Sequence, residues 1–213
     1  MLVKTYNYLL KIEYDGTKFV GWQTQKNGQS IQDKIENSLS KVLNSKIKII
    51  GAGRTDKGVH ALGQHANFKS EIKIENKKKF INSLNFFLSK HSISIIKISR
   101  KKLSFNSRHD AKERIYKYLI INRQGSLSLN NNRAWHIKNN LDIKLLKKGA
   151  KLFEGTHDFS TFRASSCSAK SPIRTINQAS ITKKNDKIFI NFVSKSFLQK
   201  QVRSMVGCLK YVG

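Results

Sequence analysis

The sequence predicts an α+β fold made of two similar halves of roughly 100 residues each, an ordinary size for a small domain. Three observations predict it. Short apolar runs at 6–13, 64–68, 93–98 and 116–121 carry the residue types and partial alternation of strands with one buried face. Between them lie stretches whose apolar residues recur every three or four positions, as in a helix packed on one side. The order of strands and helices then restarts, which divides the chain into 1–105 and 106–213 with no long linker and no short-period repeat.

The elements follow in order. Residues 6–13 read as a strand, Asp15-Gly16 as a turn, and Phe19 to Trp22 as a continuation of the strand pattern. Ser30 is placed to cap a helix, with Asp33 three residues on as its partner. Ile31, Ile35, Leu39, Val42 and Leu43 form that helix's apolar face. Ile47–Ile50 is a short strand and Gln64–Phe68 another. Lys69–Lys79 is the most loop-like stretch, overlapping a helix expected at 77–88 with Phe80, Leu84 and Phe87 inward, and Ile93–Ile98 closes the half. In the second half Tyr116–Ile121 is a strand and Asp142–Phe153 a helix. Gly155–Phe159 reads as a helix C-cap and turn leading to Phe162 and Arg163. Ala179–Thr182 and Ile188–Ser194 form a β-pair, and Phe197–Tyr211 is the last helix.

Charge points to a class of partner. The chain has 213 residues and 41 Lys+Arg against 13 Asp+Glu, a net charge of +28 with a pI near 10.3. Such an excess calls for a polyanion, with nucleic acid the default and a membrane surface the weaker choice. Lys, Asn, Ile and Ser are heavily used, so dispersed lysines are read as solvated surface. The informative cations are the arginines beside special loops: Arg54, Arg108, Arg163, Arg174 and Arg203. No apolar run approaches the roughly 20 residues that span a bilayer. The N-terminal segment lacks the pattern of a signal peptide. Cys167 and Cys208 form no C-x-x-C pair and are expected to be small buried residues. A reducing, cytoplasmic setting fits these features.

The stretch Gly51–Gln64, G-A-G-R-T-D-K-G-V-H-A-L-G-Q, concentrates the chemical signal. It is no P-loop, because no G-K-[ST] follows its glycines, and it does not match G-x-G-x-x-G. Its glycines are read as permitting positive φ and close backbone approach, which would hold Asp56 at the rim of a cleft. Spacing alone leaves two readings of Asp56 balanced, a structural ion pair with Arg54 or another cation, or a reactive carboxylate. A carboxylate can attack a sugar carbon, as in retaining glycosidases. Those enzymes need a second acid, and none is apparent here, but a nucleobase can depart without one if its charge is stabilised. Metal-dependent nuclease chemistry is disfavoured, since it needs clustered carboxylates. The six histidines show no metal-ligand spacing with the cysteines.

Arg114-Ile115-Tyr116-Lys117-Tyr118 alternates cations and rings along a strand, so both tyrosines share one face. Tyrosines there can stack on unpaired bases, although Tyr118 is better read as a core residue. Arg203 lies in an otherwise apolar helix, where it must face a carboxylate or solvent.

These residues resemble the TruA family of tRNA pseudouridine synthases. G-A-G-R-T-D-K-G-V-H-A-L-G-Q is similar to that family's signature loop. Four further segments agree in order: Y-D-G-T-K-F-V-G-W-Q (14–23), R-I-Y-K-Y (114–118), G-T-H-D-F-S-T-F-R-A (155–164) and F-L-Q-K-Q-V-R-S-M-V-G (197–207). The resemblance implies two tandem ferredoxin-like (RRM-like) halves with joined mixed β-sheets, helices on one face and the active site in the cleft between halves. It implies an isomerase that converts uridine to pseudouridine at positions 38, 39 and 40 of the tRNA anticodon stem-loop, without cofactor or metal, as a homodimer. By this likeness Asp56 is the nucleophile, attacking ribose C1′ or uracil C6. Tyr116 stacks on the flipped-out uracil, Arg203 holds the Asp56 carboxylate, and Arg54 extrudes the nucleotide or grips its phosphate. Phe162 and Arg163 face the RNA. Three departures stand out. Asn106 replaces a frequent His, and His65 a common Val. Family members usually run tens of residues past the Val206-Gly207 pair, whereas this chain stops at Gly213. The alternative reading is a catalytically inactive basic tRNA- or RNA-binding protein.

Overall fold

The computed structural model describes residues 4–213. The chain divides into two compact units, the first ending at Ala111 and the second running from Lys112 to Gly213. Strand hydrogen bonding gives one sheet within each unit.

The first unit comprises β1 (Tyr6–Tyr14), α1 (Ile31–Val42), β2 (Ile49–Gly51), β3 (Ala61–Ser70), α2 (Lys77–Leu88) and β4 (Ile93–Lys101). Its sheet has the order β2-β3-β1-β4 and every pair is antiparallel. Alternation in β1 sends Tyr6, Tyr8, Leu10, Ile12 and Tyr14 into the core, while Lys11 and Glu13 stay exposed on the other face. Ile31, Ile35 and Leu39 of α1 join that core, as do Phe80, Leu84 and Leu88 of α2. Burying such a stripe is what holds a twelve-residue helix that would be marginal alone. Ser30 caps α1 from an extended conformation, accepting the Asp33 N–H at 3.0 Å and donating its hydroxyl to the Asp33 carboxylate at 2.6 Å. Phe87 is only half-buried, under the Lys41 ammonium at 5.5 Å, because Leu88 continues the inward stripe in its place.

One acid ties α1 to the second strand. Glu36 is 4% exposed, accepts the Ile49 N–H at 3.1 Å and pairs with Lys48 at 2.6 Å. It thereby anchors β2, the strand that feeds the loop carrying Asp56. The first unit extends past the boundary at 105 for a similar reason. Asn7 donates to the carbonyls of Lys102 and Phe105, both at 2.9 Å, and Asn67 accepts the Ser107 N–H at 2.8 Å. These bonds stitch 102–107 to the first sheet.

The second unit comprises β5 (Arg114–Asn122), β6 (Trp135–Ile137), α3 (Ile143–Lys151), β7 (Gly155–Asp158), β8 (Ile173–Lys184), β9 (Lys187–Ser194) and α4 (Gln201–Val212). Its sheet runs β6-β5-β9-β8-β7; only the β5–β6 pair is parallel. Ile120, Ile181, Ile188, Ile190 and Phe192 meet Leu146 and Ala150 of α3 and Met205, Val206 and Leu209 of α4 in its core.

Four local expectations are corrected. Phe19–Trp22 is an irregular segment, because the N–H groups of Val20 and Trp22 bond to Gln29 and Thr55 rather than to a strand. Gly155–Asp158 is a strand because β8 offers it an edge to pair with. The last helix starts at Gln201, after Lys200 in a left-handed conformation (φ 63°), which leaves Phe197 outside it. Cys167 is half-buried and Cys208 exposed, so neither is a core residue. Among the described residues no helix is long and apolar enough to cross a membrane.

Candidate active site

Residues 52–60 connect the antiparallel strands β2 and β3. The base of this connection is closed by main-chain and side-chain bonds. Ala52 N–H donates to the His65 carbonyl at 2.7 Å, and the Gln64 amide donates to the Gly53 carbonyl at 2.9 Å. At its tip the Val59 N–H donates to the Asp56 carbonyl at 3.2 Å, closing a turn over Lys57 and Gly58. Gly58 has φ +78°, the positive value that a type II turn needs at its third residue. Asp56 is therefore the first residue of a defined turn, and it is half-buried.

A second segment, residues 14–22, braces this turn. The Tyr14 hydroxyl meets the Thr55 hydroxyl at 2.8 Å, and the Trp22 N–H donates to the Thr55 carbonyl at 3.0 Å. The Gly58 N–H donates to the Phe19 carbonyl at 3.4 Å. Gly16 donates its N–H to His60 Nδ1 at 3.2 Å. Contact is so close that a Cβ on Gly16 would sit 2.0 Å from the Val59 carbonyl oxygen. Tyr14, Phe19 and Trp22 are buried in the first core. The residue just before Asp56 and the turn just after it are thus both fixed to a rigid body, which is the condition for a preorganised reactive group.

Arg54 is exposed. Partial desolvation, and then the charge of Arg108, hold its guanidinium below the usual arginine value. Two arginines near enough for one charge to act on the other offer positive charge suited to a phosphate.

The remaining predicted residues belong to the second unit. Tyr116 lies on β5, half-buried, with its ring edge-on to Phe197 at 5.1 Å and 82°. The departure of Phe197 from α4 is what makes that contact available. Tyr118, two positions along the same face, is half-buried and packs against Trp135 at 6.4 Å at the edge of the second core. Burial raises the Tyr118 phenol above its usual pKa, and the nearby Arg203 charge opposes that rise. Arg203 itself is exposed on α4. Phe162 packs edge-on against Phe153 at 5.3 Å and against Phe159 at 5.9 Å, while Arg163 is exposed. Phe162 thus serves the second core, whatever else it touches. Among the described residues no group of three or more His, Cys, Asp and Glu side chains is placed to hold a metal ion.

Sequence reasoning assigned no part in the site to Tyr14, Gly16, Trp22 or His60. A signal was present: an Asp-Gly turn between two aromatics, and a histidine four residues after the acid. Periodicity and spacing do not say which distant loop such residues brace.

The chain is similar to known proteins over most of its length. The sequence model of a family described as tRNA pseudouridine synthase matches residues 11–110 and 150–213. The chain is 53% identical over 207 residues to tRNA pseudouridine synthase A of Pelagibacter ubique (strain HTCC1062), covering 97% of this chain and 84% of that protein. It is 41% identical to the protein of the same name from Parvibaculum lavamentivorans (strain DS-1 / DSM 13023 / NCIMB 13966), over 97% of this chain and 83% of that one. With the protein of that name from Thermoanaerobacter sp. (strain X514) the identity is 42%, over 97% and 84%.

Proposed function

The chain belongs to the tRNA pseudouridine synthase family, and from that premise we propose that it isomerises uridine to pseudouridine at positions 38, 39 and 40 of the tRNA anticodon stem-loop, with Asp56 as nucleophile. The observation that carries the reading is the presentation of Asp56. A half-buried carboxylate heads a turn braced from both sides.

In this reading the target nucleotide is flipped out of its stem-loop. Arg54, with Arg108 beside it, holds a backbone phosphate. The Asp56 carboxylate forms a bond to ribose C1′ or to uracil C6. The N1–C1′ bond breaks, the uracil turns, and C5 bonds to C1′. The bond to Asp56 breaks, C5 loses its proton and N1 gains one, so no atom is gained or lost overall. The second unit supplies Tyr116 to stack on the uracil and Arg203 as counter-ion to the carboxylate. Phe162 and Arg163 line the RNA path. No cofactor or metal enters these steps. We read the βαββαβ order of the first unit as a ferredoxin-like half and the second unit as its variant. A homodimer and a cytoplasmic setting complete the proposal.

The test is a product assay. Purified protein is incubated with an unmodified tRNA transcript carrying uridines at 38–40, without metal or cofactor, and pseudouridine is mapped by labelling specific for it. Modification at those positions is expected, and Asp56→Ala is expected to abolish it while tRNA binding survives. A mutant that still isomerises would remove Asp56 as nucleophile. Tight tRNA binding by the wild type without product would favour the inactive binding protein.

A further inference from the structure

We propose that His60, as a neutral hydrogen-bond acceptor, is a positioning residue for Asp56. The inference rests on the reading of Asp56 as nucleophile. His60 closes the connection between β2 and β3, four residues after Asp56 and one after the residue that completes its turn. Its Nδ1 lies 3.2 Å from the Gly16 N–H and also 3.2 Å from Asp15 Oδ1.

One nitrogen cannot serve both neighbours in the same way. To accept from Gly16 it must be unprotonated; to bond Asp15 it must carry a proton. Asp15 Oδ1 already accepts the Thr17 N–H at 2.9 Å and the Thr17 hydroxyl at 2.6 Å. The geometry assigns Nδ1 to the Gly16 N–H, because a main-chain N–H pressed against the Val59 backbone is costly to leave without an acceptor. In that state the imidazole is a side-chain bolt between residues 15–17 and the far end of the Asp56 turn. The near end is already held by Thr55 through Tyr14 and Trp22. Without the bolt the far side of the turn keeps only the longer Gly58–Phe19 bond at 3.4 Å among the bonds described above, and Asp56 can shift while the strands beneath it stay in place.

A misplacement of about 1 Å in a reacting group costs on the order of 10²-fold in rate. His60→Ala is therefore expected to lower kcat about 10- to 100-fold, with KM for tRNA changed by less than about 2-fold. His60→Asn, whose Oδ1 sits where Nδ1 does, is expected to recover most of that loss. His60→Gln, whose carbonyl reaches to the other ring position, is not. Asp15→Asn, which keeps an acceptor for Thr17, is expected to stay within about 2-fold of wild type, as for a surface change away from packed features. Thermal unfolding of each variant separates lost positioning from lost folding.

His60→Ala at full kcat would overturn the inference. So would His60→Gln rescuing as well as His60→Asn, or Asp15→Asn reproducing the His60→Ala loss. If instead Asp56→Ala remains active in the same assay, the nucleophile reading has failed, and that result is distinct from any His60 outcome.

Discussion

Replacing Gly16 and Gly58 by alanine, one at a time, separates the two devices that hold the Asp56 turn. A Cβ at Gly58 has no atom within 4 Å, so its cost is conformational alone. Placing an L-residue at φ +78° costs ~1–2 kcal/mol. The stiffer unfolded chain returns ~0.4–1 kcal/mol, leaving a net loss near ~1 kcal/mol. A Cβ at Gly16 would lie 2.0 Å from the Val59 carbonyl oxygen, where contacts under 3.0 Å essentially never occur. The two backbones must separate by about 1 Å, and neither is a flexible side chain. Overpacking of this kind costs ~1–3 kcal/mol and belongs near the upper end here. The unfolded-chain return is common to both changes, so Gly16→Ala is expected to be about 1–2 kcal/mol less stable than Gly58→Ala, roughly 4–8 °C in Tm for a unit of this size. Urea unfolding followed by tryptophan fluorescence measures it. The chain has two tryptophans, and in a Trp135→Phe background Trp22 reports on the first unit alone. Gly16→Ala should also lose the larger part of kcat, since the separation moves the Asp56 turn. Equal stabilities within about 0.5 kcal/mol, or full kcat in Gly16→Ala, would refute the reasoning.

Three further expectations follow from single contacts. Glu36→Ala leaves the Ile49 N–H without its acceptor, and a loss of about 1–3 kcal/mol is expected by chemical denaturation, with no change expected in the second unit. Tyr116→Phe is expected to retain most activity, whereas Tyr116→Ala loses a stacking surface worth ~1–3 kcal/mol; single-turnover rates with tRNA distinguish the two. Partial desolvation, and then the Lys11 charge, lower the His65 imidazole pKa. The unfolded chain thus binds the proton more readily, and stability falls as pH drops through 6.5 towards the lower folded-state value. His65→Val is expected to flatten that fall in a thermal-unfolding series from pH 7 to 5.

The reach of the sequence differs from element to element. β1, β4, β5 and β9 and the helices α1, α2 and α3 are legible because alternation and helical spacing are local properties of the chain. β6 and β7 are not. Three- and four-residue strands exist because a neighbouring edge pairs with them, and no periodicity announces an edge. The same holds for Phe19–Trp22, whose residue types favour a strand but whose N–H groups find partners in a loop. The start of α4 is set by Lys200, a lysine in a conformation that lysine seldom adopts.

For the site, the sequence by itself singled out the candidate residue, Asp56: an acid amid glycines, between apolar strands, in a chain with few acids. Its chemical type and its loop are local facts. Only the tertiary structure decided what holds that acid in place. Thr55 meets Tyr14 across 41 residues and His60 meets Gly16 across 44, and the backbones approach closely enough to exclude a methyl group. Such contacts depend on where the chain returns after a helix and a strand. Composition and spacing record which groups are available, and folding alone brings each donor to its acceptor.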